Sequence, residues 1–299
     1  MSAYLEKPDD VSALAETVRS ILGPGDFSAY RFCDDVAGEH KVYDVYKIIR
    51  PDGAFVLKQY DKPRRFEAEK AIYERFTGDL PVPRALGFAE NAMVTAFVAG
   101  DDLKEMTDES VCAASSAVAK LMNAFPLGYG YDRSVTESEI AYREKRLESL
   151  KSEPLLCAAY RLFLDRVMEM PLTLANGDFL PINCLYDGQR VCIIDWEYGG
   201  FMPYALDLGR FLAHSGEDPV FPYRMTEAQK SLFLDLLFNA FNHFCGNSCP
   251  DYCQSRECKN NKADNRADIS KSVGHKAENC SDNRHKDCSR VGDMQNRKS

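Results

Sequence analysis

From Leu172 to Gly200 the chain reads LTLANGDFLPINCLYDGQRVCIIDWEYGG, the stretch that says most about what this chain can form. Asp187-Gly188 predicts a two-residue hairpin turn between two short apolar strands. The hairpin puts Asn183 just before one strand and Asp195 at the end of the other, so both side chains come to the same end. Asp178 lies five positions before Asn183, which in turn lies twelve before Asp195. Singly, each residue is ordinary: Asn176-Gly177 is a turn signal, an Asn can cap, and an Asp can end a strand. Jointly, the spacing suits phosphoryl transfer. One carboxylate would take a proton from an attacking hydroxyl, while an amide and a second carboxylate would hold Mg²⁺ on nucleotide phosphates.

Composition permits the two lobes that such a centre needs. With 299 residues, 45% of them hydrophobic and 11% aromatic, the chain can bury a sizeable core. Its formal net charge of −9 disfavours a nucleic-acid or anionic-membrane partner and suits a cationic or neutral small molecule. The N-terminus lacks a positive region followed by an apolar one, and no apolar run is long enough to span a bilayer, so cytoplasmic residence is expected. Cys33, Cys112, Cys157, Cys184 and Cys192 sit in apolar contexts and read as reduced core residues.

Three segments follow from the patterning. Residues 1–98 mix strand and helix signals: an amphipathic run at 11–22, a strand near 27–33, and β-rich runs at 41–50 and 54–60 around the turn Pro51-Asp52-Gly53. A helix is expected over 64–76 and a strand over 92–98. Residues 99–244 are mainly helical, with periodic runs at 109–125, 136–150, 154–168, 204–214 and 226–244. Residues 245–299 are polar, poor in large apolar side chains, and expected to be disordered. The fold class implied is α+β: a small antiparallel sheet with one main helix, then a larger helical lobe.

The first lobe carries an independent test. A kinase needs a strand lysine on the phosphates and a helix glutamate to orient it. On the 64–76 helix, Phe66, Ile72, Tyr73 and Phe76 form an apolar stripe, and Glu69 falls in the middle of it. A carboxylate directed into an apolar face needs a cation, and Lys58, at the end of Phe55-Val56-Leu57, is the candidate. The phosphate-covering loop should join the first two strands, over 34–40, where Gly38 is the only glycine. No GxxxxGK[ST] motif occurs, which argues against a P-loop fold.

NGDFLPIN followed by IIDWE resembles the signature of the aminoglycoside phosphotransferase and choline kinase superfamily, whose members share a bilobal protein-kinase-like fold. The resemblance covers roughly residues 30–244. It implies Asp178 as catalytic base, Asn183 and Asp195 as magnesium ligands, and ATP as phosphoryl donor. Adenine would bond backbone groups of the lobe connection around Thr95, Phe97 and Ala99. The family usually places histidine where this chain has Asn176, a loop-bracing position at which Asn could supply a similar hydrogen bond. Asp207 reads locally as a helix N-cap, and the resemblance suggests that it also braces the catalytic loop. Trp196 is expected to pack beside Asp195, and Glu197 and Tyr198 lie where an acceptor would approach.

Leu180, where protein kinases usually place a lysine, and the short passage from Asp195 to the 204–214 helix leave no room for an activation segment. A small hydroxyl-bearing acceptor is favoured: an aminoglycoside, an amino-alcohol or a sugar. Two other readings stand beside this one. Asn176 and the poor phosphate loop fit a pseudokinase that binds nucleotide without turnover. Cys245, Cys249, Cys253, Cys258, Cys280 and Cys288, with His275 and His285, fit a metal-binding interaction module in the tail.

Overall fold

The structure is a computed structural model describing residues 4–244, apart from residues 9, 37–38 and 77. Gly38 and the whole Cys-rich tail from Cys245 therefore lie outside the described residues. The rest forms a bilobal α+β fold. Its first lobe is a six-stranded antiparallel sheet built from β1 (Tyr4–Glu6), β2 (Ser28–Val36), β3 (Glu39–Arg50), β4 (Gly53–Gln59), β5 (Ala85–Ala89) and β6 (Ala92–Ala96). The spatial order is β1-β2-β3-β4-β6-β5. Helix α1 (Ser12–Leu22) buries Leu14 and Val18 against Tyr46, Ile48, Leu57 and Val94 on one face of this sheet. Helix α2 (Pro63–Tyr73) begins with Pro at its first position, where a missing N–H costs nothing.

The Pro51-Asp52-Gly53 turn forms as expected, with Arg50 opposite Gly53 in the β3–β4 register. The loop expected over 34–40 is far shorter. Asp34, Asp35 and Val36 continue β2 and pair with Lys41, His40 and Glu39 of β3. Pairing on both edges explains the difference, since β2 is also flanked by β1, with Tyr4 opposite Cys33. Strand β5 escaped the sequence reading because its Gly87 breaks the β pattern. That glycine is a contact point: a Cβ there would lie 2.7 Å from Ile21 of α1.

The second lobe runs through β7 (Asp101–Asp102), α3 (Asp108–Ala124), α4 (Ser134–Leu147), α5 (Pro154–Glu169), β8 (Leu172–Ala175), β9 (Cys184–Tyr186), β10 (Val191–Ile193), β11 (Gly200–Pro203), α6 (Tyr204–Ala213) and α7 (Glu227–Phe244). Thr107 caps α3 reciprocally with Ser110, satisfying two end groups at once. The β9–β10 hairpin differs from its predicted form. Tyr186 and Val191 are the last strand pair, and one more backbone bond, from Asp187 N–H to Arg190 O at 3.2 Å, closes the turn over Gly188-Gln189, one residue later than expected. The Asp187 carboxylate accounts for the shift, accepting the backbone N–H groups of both Gln189 and Arg190 and so holding Asp187 at the first corner of the turn. Strands β8 and β11 pair antiparallel, Ala175 facing Gly200.

One hydrophobic core crosses both lobes, joining Phe66, Ile72, Tyr73 and Met93 to Phe179, Ile193, Trp196, Phe211 and Phe233. Phe179, Phe211 and Phe233 stack in sequence at 4.8 and 5.0 Å, tying the loop after β8 to α6 and α7. Cys33 and Cys184 are buried as expected, but Cys112 is exposed on α3, and Cys157 and Cys192 are only partly covered. A small, weakly polar thiol tolerates either environment, so apolar neighbours in sequence do not fix its burial. Among the described residues no helix is long and apolar enough to cross a membrane.

Candidate active site

The residues singled out by spacing converge on the seam between the lobes. Lys58 leaves β4 with its ammonium 2.8 Å from Glu69 Oε2 and 2.7 Å from Asp195 Oδ1. Glu69 is 1% exposed, as its place in the apolar stripe of α2 requires. The same Oε2 accepts the Tyr60 hydroxyl at 2.7 Å, and Oε1 accepts the Trp196 N–H at 3.1 Å. A buried carboxylate is tolerable only with such a full set of donors. Burial alone would pull the Lys58 ammonium down, but Asp195 and Glu69 outweigh it and hold it above its ordinary value. The Tyr60 phenol is pushed up by burial and then by Glu69, so it remains a donor. Tyr60 was not anticipated, although strand periodicity puts it two residues from Lys58 on the same face.

The loop after β8 is held from three sides. The buried Asp207 carboxylate accepts the N–H groups of Asn176 at 2.6 Å and Gly177 at 2.9 Å. The N-cap expected of Asp207 does not form. Helix α6 opens at Tyr204, as the periodic run predicted, with Pro203 at its N-cap, so Asp207 falls in the first turn and its carboxylate reaches the loop instead. Burial pushes Asp207 up to about 6, against the two backbone donors and Arg210, which favour its ionised form. Asn176 fills the second side. Its Nδ2 donates to the carbonyls of Ile194 and Asp195 at 3.2 and 2.9 Å, and its Oδ1 accepts the Asp178 N–H at 3.2 Å. Arg210 supplies the third, with Nη1 2.8 Å from both Gly177 O and Asp178 Oδ1.

Asp178 is half-buried, and burial raises its carboxyl above the ordinary range while Arg210 opposes the shift. The ion pair with Arg210 engages Oδ1. Asn183 donates through Nδ2 to Asp178 O at 2.8 Å. Asp195 follows β10 in a left-handed conformation, φ +57°, unusual for a residue with a side chain. Trp196 beside it is fully buried, donating Nε1 to Ile193 O, with Phe76 packed edge-on at 4.9 Å. Glu197 lies 3.9 Å from Lys58 and 3.7 Å from Arg65, and Arg65 reaches the Tyr198 hydroxyl at 3.4 Å. Burial and Asp195 raise the Glu197 carboxyl, while Lys58 and Arg65 hold it back.

At the lobe connection two backbone donors are already engaged. Phe97 donates its N–H to Ala54 O, and Ala96 donates to Arg84 O, so neither amide is available to a base. Antiparallel extension of β6 past its last residue consumes the Phe97 donor. Thr95 is buried within β6, and Ala99 is exposed just beyond it.

The phosphotransferase enzyme family matches this sequence over residues 43–234, which include every residue of the seam just described. The chain belongs to the phosphotransferase enzyme family. As a family member it is a kinase-class transferase, and the folds that it resembles are consistent with that. A macrolide 2'-phosphotransferase from Brachybacterium faecium is 15% identical with a TM-score of 0.53, the match covering 78% of this chain and 84% of that one. A choline kinase from Cryptosporidium parvum is 12% identical with a TM-score of 0.54, covering 78% and 80%. No curated protein sequence matches the chain.

In this family member Gly177 is the tightest point of the loop. It sits at φ +79°, and a Cβ there would meet Tyr198 O at 2.3 Å. Gly177→Ala is expected to destabilise the protein by at least about 1–3 kcal/mol, the scale of a strained backbone site. Urea unfolding checks this, and an unchanged midpoint would contradict the packing described.

Proposed function

We propose that the protein is an ATP-dependent phosphotransferase that moves the γ-phosphoryl group to a hydroxyl of a small molecule. The observation that carries the reading is the Lys58 ammonium, held between Glu69 of the first lobe and Asp195 of the second. Held by Glu69, Lys58 would position the α and β phosphates. Asn183 Oδ1 and the Asp195 carboxylate are hard oxygen donors at one end of the β9–β10 hairpin, a donor set that fits Mg²⁺. When bound there, the metal would neutralise charge developing between the β and γ phosphates.

Asp178 would orient the acceptor hydroxyl and take its proton as the oxygen bonds to the γ phosphorus and the bond to the β phosphate breaks. Arg210 holds that carboxylate, and Asn176 braces the backbone of its loop with three hydrogen bonds, which supports a catalytic loop that works without the family's usual histidine. Adenine would meet the connection through the Phe97 carbonyl and the backbone of Val98 and Ala99. Glu197 and Tyr198, linked to Arg65, would border the acceptor. Leu180 and the direct run from Asp195 through β11 into α6 support a small acceptor over a protein.

The test is ATP consumption with a panel of aminoglycosides, choline, ethanolamine and sugars, comparing the parent with Asp178→Ala. Acceptor-stimulated turnover that falls on the order of 10²–10⁴-fold in the variant is expected, the usual worth of a positioned base. Nucleotide binding with no turnover on any acceptor would favour the pseudokinase reading, and no nucleotide binding would contradict both.

The pH profile gives a second handle. Turnover needs ionised Asp178, so it should fall as pH drops through that raised pKa. Arg210 opposes that rise more than any other group, ahead of Asn183 and His214. Arg210→Met should therefore move the acid limb of kcat/KM to higher pH, and a limb that stays in place would contradict the assignment of Asp178 as base.

A further inference from the structure

A group of three metal-ligating side chains, none of them among the seam residues described above, lies on the first lobe. Glu6 on β1, Cys33 on β2 and His40 on β3 place a carboxylate oxygen, a thiol sulfur and an imidazole nitrogen within 4.8 Å of one another. Strand pairing brings them together, since β1 lies against β2 and β2 against β3, so no local motif announces them in the sequence. We propose that Glu6, Cys33 and His40 form a zinc-binding site.

The geometry is close to that of a bound ion before any ion arrives. Cys33 Sγ lies 3.5 Å from Glu6 Oε2, and His40 Nε2 lies 3.6 Å from the same oxygen. Tetrahedral zinc, with ligands at about 2.0–2.3 Å, spaces its ligands about 3.3–3.8 Å apart. Two edges of the triangle are thus already at the required length. The thiol and imidazole together select zinc over magnesium or calcium, which prefer all-oxygen sets.

The other side of the imidazole is arranged to present Nε2. Tyr4 donates its hydroxyl proton to Asp35 Oδ1 at 3.2 Å, so the Tyr4 oxygen, 2.9 Å from His40 Nδ1, acts as the acceptor there. Asp35 Oδ1 adds a contact with Nδ1 at 3.4 Å. Both favour a proton on Nδ1 and a bare lone pair on Nε2, facing the Glu6 carboxylate. In that tautomer Nε2 and the Glu6 carboxylate face each other as two acceptors 3.6 Å apart, which a metal ion would bridge. A carboxylate holding the far nitrogen is also the outer-shell arrangement that zinc-bound histidines commonly have. Binding forms a Zn–S bond and releases the Cys33 thiol proton to solvent; the thiol then ceases to donate to Glu6. The ion would pin β1 to the β2–β3 hairpin.

Metal analysis of the full-length protein decides the matter, after stripping with chelator and dialysis against buffered Zn²⁺. The parent is compared with His40→Gln and Cys33→Ser, all three carrying the same tail cysteines, so only the difference is read. Each variant is expected to hold about one equivalent of zinc less than the parent, and the rise in Tm that zinc gives the parent should be lost. His40 is half-exposed, so its variant keeps the fold even if Cys33→Ser does not. Equal zinc in the parent and His40→Gln would overturn the proposal and leave His40 as a surface ion-pair partner of Glu6 and Asp35.

Discussion

The carboxylate of Glu69 is the interaction on which the site depends. It is buried in a helix face that otherwise reads as core, and an uncompensated charge there would cost several kcal/mol. Three donors make it tolerable: Lys58 and Tyr60 on one oxygen and the Trp196 backbone on the other. Those donors come from the end of β4, from the residue after it, and from the segment following β10. One buried charge therefore fixes the lysine strand, the main helix of the first lobe and the Asp195 segment of the second relative to one another. The shared core around Phe66, Ile72, Trp196 and Ile193 surrounds this polar knot with apolar packing and keeps water from competing for it.

Around this point the charges alternate. Lys58, Arg65 and Arg210 sit among Asp178, Asp195, Glu197 and Asp207, and three of those carboxyls are held above their ordinary range by burial. A site with excess carboxylate and few cations suits a reaction in which Mg²⁺ supplies the missing positive charge. The direct Lys58–Asp195 contact belongs to the same balance. It pairs two groups that the proposed mechanism assigns to different partners, the phosphates and the metal, so each would exchange a neighbour when the nucleotide enters.

Much of this was legible in the sequence, for reasons that can be named. Glu69 was found because helical periodicity is local: three- and four-residue spacings fix which side chains share a face. Asn183 and Asp195 were found because a hairpin joins them. The braces were harder. Arg210 reaches Asp178 across 32 positions of chain, a contact that only the packing of α6 against the loop creates. Asp207 looked like a cap because an Asp near a helix start commonly is one, whereas it sits inside the first turn of α6 and its carboxylate takes the N–H groups of Asn176 and Gly177 instead. Strands β8 and β11 are four residues each and have meaning only as partners. The Asp187 loop went the other way, a local side-chain effect that the Asp-Gly signal masked.

The most direct test is a calorimetric titration of the full-length protein with a magnesium-bound, non-hydrolysable ATP analogue, repeated with Lys58→Met. Saturable binding to the parent that is strongly weakened in the variant is the expected result, because Lys58 links the phosphates to Glu69. Binding that is equally tight in both, or absent from the parent, would contradict the view that the Glu69–Lys58–Asp195 knot is a nucleotide site.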